Sequence, residues 1–140
     1  KKIKLLGICL GMQLLLDSSL EFEKCDGLGL IKGKNIRLCD KGTKSEKLDI
    51  PHINWRSIEI SSKKFEKDNL FETIHKDDEF YFIHSFMAKP LDENNLIATY
   101  NYGGNKVPAI IKRDLIYGFQ FHPEKSAEPG LKLLDQFLKL

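Results

Sequence analysis

Two short segments carry residues able to do nucleophilic catalysis. Gly7-Ile8-Cys9-Leu10-Gly11 sets a cysteine between glycines. Glycine lets a backbone turn sharply and lets other groups approach the residue beside it. An apolar run precedes this segment and a helical pattern follows it, so Cys9 is expected on a sharp strand-to-helix turn. Such a turn lifts its side chain to the top of a sheet, which is the mechanics of a nucleophile elbow. A helix N-terminus also favours a thiolate, so the Cys9 pKa is expected to fall from the ordinary value of about 8.5. The alternative for these residues alone is a small buried cysteine in a glycine-rich turn. Far along the chain lies Phe121-His122-Pro123-Glu124. Side chains at i and i+2 of an extended segment point the same way, and Pro123 steers His122 away from helix. Glu124 can then lie beside His122, fix its tautomer and stabilise the imidazolium. Taken alone, this segment reads equally as a surface His-Pro turn. Together the two segments offer a nucleophile, a base and an orienting carboxylate, a Cys-His-Glu triad.

The elements that must position these residues follow from the apolar pattern. Residues 3–9 fit a buried parallel strand and 11–20 a helix carrying Met12, Leu15, Leu16 and Leu20 on one face. Residues 21–29 read as loop, 30–38 as strand, and 39–47 as a polar surface turn. Residues 52–60 alternate as a strand does, and 63–76 read as short helix or loop. Strands are expected at 79–87, 96–101, 107–112 and 116–121, with a hairpin turn at Gly103-Gly104 and a helix over 130–140. The pattern is α/β at both ends with an antiparallel β excursion between.

The chain has 140 residues, which bounds it to one domain or most of one. Hydrophobic residues make up 41% and charged residues 30%, a composition that excludes intrinsic disorder. A net charge of +2 gives no electrostatic case for nucleic acid. No apolar run reaches the roughly 18 residues of a membrane span, and no signal peptide is read at the start. Three widely spaced cysteines, Cys9, Cys25 and Cys39, argue against a disulfide framework and against a zinc site. A reducing, cytoplasmic setting follows, with one cysteine chemical and the other two inert packing residues. His52 and His84 read as hydrogen-bonded structural histidines, and His75 as solvated. Trp55 and Tyr81, read alone, fit core or sheet aromatics equally well.

Residues 7–15, GICLGMQLL, and 118–126, GFQFHPEKS, resemble the two signatures of the class I (triad) glutamine amidotransferases. Within that class, Pro51-His52-Ile53-Asn54-Trp55 and Tyr81-Phe82-Ile83-His84-Ser85-Phe86 look like segments of the glutaminase subunit of imidazole glycerol phosphate synthase. The resemblance runs through essentially the whole chain. It implies a flavodoxin-like α/β fold, a mostly parallel sheet with an antiparallel β excursion, and a single glutaminase domain over residues 1–140. It implies catalytic Cys9, His122 and Glu124, an oxyanion hydrogen bond from Leu10, substrate binding by Gln13 and by backbone near Ser85 and Phe86, and partner contacts at Trp55, Tyr81 and Lys125. No cofactor and no metal are implied. The implied substrate is glutamine. The implied partner is a (β/α)8-barrel cyclase, in a heterodimer that uses the ammonia on a ribosyl-formimino intermediate of histidine biosynthesis.

The family has Gly before the tryptophan and Asn after it, where this sequence has Asn54 and Arg56. That difference keeps open a glutaminase serving a sugar-nucleotide amidotransferase of surface polysaccharide synthesis. A γ-glutamyl hydrolase on a similar fold and a non-enzymatic interaction subunit stay open as well. The sequence opens on Lys1-Lys2 directly before the nucleophile strand. It is therefore expected to be the C-terminal two-thirds of such a domain, lacking a Pro-Gly loop with the second oxyanion donor and inactive by itself.

Overall fold

The computed structural model describes residues 3–61 and 68–140. The first apolar run forms β1 (Leu5–Ile8), and one residue later α1 (Leu10–Leu14) begins. α1 stops well short of residue 20. The carbonyls of Leu14, Leu15 and Leu16, which a longer helix would use internally, instead accept from the backbone of Leu28, Leu30 and Gly29. Asp17 then turns the chain, its carboxylate accepting from the Gly33 N–H at 2.8 Å. The bond ties Asp17 to backbone 16 residues further along the chain, outside the helix.

The chain continues through β2 (Ser18–Ser19), β3 (Cys25–Asp26), β4 (Gly33–Arg37), β5 (His52–Ser57), β6 (Glu59–Ile60), β7 (Glu79–His84) and β8 (Phe86–Pro90). β9 (Leu96–Tyr102), β10 (Asn105–Arg113), β11 (Ile116–Phe119) and α2 (Ala127–Lys139) complete it. A five-stranded sheet has the order β1-β11-β10-β9-β6, a four-stranded sheet the order β3-β2-β4-β8, and β5 pairs with β7 as a ribbon. The mixed α/β class agrees with the sequence reading. The expectation of a mostly parallel sheet does not. Among the described residues, parallel pairing joins only β1 to β11 and β2 to β4. Parallel neighbours need long crossover connections, whereas β9, β10 and β11 follow one another through tight turns that force antiparallel pairing. β1 lies at the edge of its sheet, so Ile3 and Leu5 are exposed where a buried strand was expected. Residues 62–67, part of the segment read as short helix or loop, lie outside the described residues, and 68–73 form turns.

The main core is aromatic. β7 alternates strictly, with Phe80, Phe82 and His84 facing inward. Phe80 packs on Phe121 with ring centroids 4.5 Å apart, Phe82 on Tyr100 at 4.3 Å, and Phe119 stacks on Phe121 at 5.3 Å. Phe121 is thus clamped on two sides immediately before His122. A second cluster of Met12, Leu15, Leu16, Ile31, Ala88 and Ile111 seats α1 on the sheet. α2 presses on the turn after Phe121: a Cβ built at Gly130 would lie 2.0 Å from the Pro123 carbonyl oxygen. Lys4 ties β1 to the far end of α2, donating to the carbonyls of Phe137 at 3.3 Å and Leu138 at 3.1 Å.

Two histidines are buried in this core. The His84 Nδ1 bonds the Phe86 carbonyl at 2.6 Å, which fixes the tautomer, and Nε2 accepts from the Tyr100 hydroxyl at 2.8 Å. His52 lies against Tyr102, with centroids 4.2 Å apart, and its buried Nε2 has no hydrogen-bond partner among the described residues. His84 is therefore the bonded structural histidine expected, and His52 is only half so. Burial pushes both pKa values down from 6.5 to about 4.

Two outcomes follow. The unfolded chain binds more protons than the native state between pH 4 and 6.5, so stability is full above 6.5 and falls as the pH drops toward 4. Urea midpoints should decline over that window, and His52→Phe should flatten the decline; an unchanged slope would exclude His52 as a cause. Gly130→Ala should lower stability by about 1–3 kcal/mol through overpacking against Pro123, read as a fall in thermal midpoint.

Candidate active site

Cys9 occupies the single residue between β1 and α1, with φ 51° and ψ −108°. A side chain at positive φ is strained by order 1–3 kcal/mol, and such strain collects where a residue must be aimed. The turn is possible because Gly7 has no side chain: a Cβ there would lie 2.5 Å from the Gly11 carbonyl oxygen. Gly11 itself has open space around its own Cβ position. Its backbone, rather than its lack of a side chain, makes the close approach.

The parallel register of β1 and β11 pairs Ile8 with Phe119, and the Cys9 N–H donates to the Phe119 carbonyl at 2.7 Å. Cys9 and His122 therefore leave the same ends of adjacent strands. His122 keeps an extended backbone, and Pro123–Lys125 form a 3-10 turn. That turn, rather than a continued strand, brings Glu124 to the imidazole, with Oε1 2.7 Å from Nδ1. Backbone and side-chain bonds hold the turn in place. The His122 N–H donates to the Tyr81 carbonyl at 3.0 Å. The buried Ser126 hydroxyl donates to the His122 carbonyl at 2.6 Å and accepts from the Tyr81 N–H at 2.9 Å.

The cysteine is less reactive at rest than its position on the elbow suggested. Burial pushes its pKa up, the Leu10 N–H acts against that, and the Glu124 and Glu21 carboxylates add to the rise. The expected depression at a helix N-terminus is overturned, since α1 has only five residues and the sulfur is partly withdrawn from water. Cys9 Sγ lies 3.9 Å from the Ile83 carbonyl oxygen, to which it donates, and 4.0 Å from the Gln120 amide nitrogen. Among the described residues it makes no hydrogen bond to His122. Such contacts are commonly loose before substrate binds.

A pocket of about 250 Å³ opens over Cys9, lined also by Leu10, Gln13, Glu21, Ile83, His84, Ser85 and Phe86. It gathers five residues singled out from the sequence: Cys9, Leu10, Gln13, Ser85 and Phe86. Gln13 is not free there. Its amide donates to the Phe86 carbonyl at 3.2 Å and to Gln120 at 3.4 Å, and accepts from Asn35 at 3.3 Å. Glu21 was missed because its loop carries no motif, yet it puts a carboxylate in the pocket wall. Gln120 and Ser126 stood inside a recognised segment, and no spacing rule distinguished them from packing residues. Trp55 and Tyr81 pair directly across the β5–β7 ribbon with centroids 5.7 Å apart, flanked on the same outward face by the Ile53–Ile83 pair. Ile53, Trp55 and Ile83 are exposed, so this face is neither core nor covered. Lys125 is exposed one residue beyond Glu124. Cys25 and Cys39 are exposed thiols, not packing residues. The described residues contain no cluster able to hold a metal ion, and no described helix is long and apolar enough to cross a membrane.

Among known proteins, this chain is 41% identical over 137 residues to the imidazole glycerol phosphate synthase subunit HisH 1 of Legionella pneumophila (strain Lens), covering 96% of this chain and 64% of that protein. It is 41% identical over 136 residues to the HisH subunit of Bacillus subtilis, covering 97% of this chain and 61% of that one. The chain thus spans a little over three-fifths of the curated relatives it matches. A solved structure of PurLQS from Thermotoga maritima superposes with a TM-score of 0.64 at 21% identity, covering 96% of this chain and 60% of that chain. A glutamine amidotransferase from the same organism gives 0.57 at 16% identity, covering 96% and 46%. At those identities the structures speak for the fold alone. The family model of the class-I glutamine amidotransferases matches residues 1–140, and the chain belongs to that family.

Proposed function

We propose that the protein is a glutaminase that hydrolyses the side-chain amide of glutamine and passes the ammonia to a synthase partner. The observation that carries this is the pocket in which the strained Cys9 meets Leu10, Glu21, Ser85 and Phe86, beside a His122–Glu124 pair at the end of the adjacent parallel strand. Glutamine enters with its carboxamide at Cys9. Backbone groups near Ser85 and Phe86 hold its α-substituents, and the Glu21 carboxylate suits its ammonium. With Glu124 on Nδ1, His122 is left with Nε2 for the sulfur. Because the resting thiol is held neutral, the proton leaves Cys9 as the sulfur attacks, and His122 takes it. The tetrahedral oxyanion accepts from the Leu10 N–H. One such donor is worth about 3–4 kcal/mol in the transition state. His122 then protonates the departing ammonia and activates water against the thioester, releasing glutamate. The residues supply nucleophile, base and oxyanion donor from the chain alone, so no cofactor is assigned.

The partner is a (β/α)8-barrel cyclase in a heterodimer of histidine biosynthesis, by the kinship to HisH subunits. The exposed Ile53, Trp55 and Ile83, with Tyr81 opposite Trp55 and Lys125 nearby, make the docking face. Exposed aromatic pairs are typical anchors of such interfaces. The setting is the cytoplasm, where a reducing environment keeps the Cys9 thiol free.

In the full-length protein with its synthase, Cys9→Ala should abolish glutamine-dependent synthesis and leave synthesis from added ammonium unchanged. Loss of both activities with the fold intact would contradict the proposal. Glu124→Gln should reduce the glutamine-dependent rate less than Cys9→Ala, because Glu124 orients the base without touching substrate.

A further inference from the structure

The catalytic mechanism leaves unused a row of buried amides that ends at the nucleophile. Gln120 is wholly buried between Phe119 and Phe121, where packing alone would favour an apolar side chain. Asn35 is equally buried, and Gln13 nearly so. Their orientation is fixed by one atom. The Phe86 carbonyl can only accept, so Gln13 must present its NH₂ there. The second hydrogen of that NH₂ meets Oε1 of Gln120 at 3.4 Å, which turns the Gln120 NH₂ toward Cys9 Sγ at 4.0 Å. At the other end, Oε1 of Gln13 accepts from Asn35 Nδ2, which also donates to Ser19 Oγ at 3.0 Å. Asn35, Gln13 and Gln120 thus donate in one direction, each to the next, and the last donor faces the sulfur. Hydrogen bonds linked head to tail polarise one another, and the row presents the positive end of aligned dipoles to Cys9.

We propose that this Asn35–Gln13–Gln120 chain stabilises the Cys9 thiolate, with Gln120 acting on the sulfur directly and Gln13 and Asn35 as positioning residues. The proposal rests on Cys9 being the nucleophile. The charged and titratable groups around that sulfur are Glu124 from the turn after β11, which is bonded to His122, and Glu21 from the loop after β2, while neutral His84 from β7 lines the same pocket. Both carboxylates oppose a thiolate, as does the Ile83 carbonyl oxygen. Besides the Leu10 N–H, the Gln120 amide is the neutral donor aimed at the sulfur among the described residues, and it works at any pH.

The test is the pH dependence of Cys9 alkylation by iodoacetamide in the full-length protein, followed peptide by peptide so that exposed Cys25 and Cys39 do not interfere. Gln120→Met keeps the length and removes the donor. It should move the Cys9 midpoint upward by about one pH unit and lower kcat for glutamine at least tenfold with KM within twofold. Gln120→Glu keeps the shape and the contact to Gln13, and should move the midpoint upward as well. Asn35→Leu should produce a smaller shift of the same sign. A midpoint unchanged or lowered in whichever Gln120 variant folds would overturn the proposal. If wild type hydrolyses glutamine through Cys9 while the midpoint stays fixed, only the amide chain is refuted. If wild type does not, the glutaminase reading itself falls.

Discussion

The hydrogen bond from the Cys9 N–H to the Phe119 carbonyl, 2.7 Å long, closes the parallel ladder between β1 and β11. Everything that could be catalytic hangs from that junction. Cys9 lies one residue past the last residue of β1 and His122 three past the last residue of β11, so the register sets which ends of the two strands carry them. Side chains on a strand change face with each residue, and a slip by one would turn Cys9 away from its pocket. The register also sets Gly7 opposite Gly118. That leaves a smooth strip on which α1 can lie, with Met12 against the position a Gly118 side chain would fill.

A tension follows from this placement. The elbow aims the sulfur into a partly dry pocket between two carboxylates, which disfavours its charged form. One of those carboxylates, Glu124, is also the group that orients His122. Both effects favour the neutral thiol at rest. β7 touches both halves of the site through its backbone, the Ile83 carbonyl at Cys9 and the Tyr81 carbonyl at the His122 N–H. The other edge of the same strand carries the register with β5, where Trp55 and Tyr81 lie exposed together. One strand, pinned by Phe80 and Phe82 in the core, thus spans from the outward face to both Cys9 and His122.

Much of this was legible in the sequence because it depends on local chemistry. Glycines around Cys9 free the backbone for a sharp turn and proline after His122 restricts it, wherever they occur, and the alternation of β7 is visible in its residue types. Sheet direction was not legible in the same way. Apolar runs show that strands are buried but not how they are joined, and the tight β9–β10–β11 turns settled the matter against a mostly parallel sheet. The end of α1 escaped for a similar reason, since carbonyls of Leu14–Leu16 found partners in residues 28–30, a contact that helical periodicity does not encode. The rise in the Cys9 pKa was hidden because desolvation and the charges of Glu21 and Glu124 arise only in three dimensions. Gln120 lay in plain sight within GFQFHPEKS, yet its meaning needed Phe86, Gln13 and Asn35 from three other elements.

The central claim is that Cys9 is the atom to which a glutamine side chain is presented. A diazoketone analogue of glutamine carries an electrophile where the carboxamide would be, and incubation with the full-length protein bound to its synthase tests the claim directly. The expected result is one covalent adduct, mapped by peptide mass spectrometry to Cys9, slowed by excess glutamine and absent in His122→Ala. Adducts on Cys25 or Cys39 instead, or labelling of Cys9 that glutamine does not slow, would contradict it.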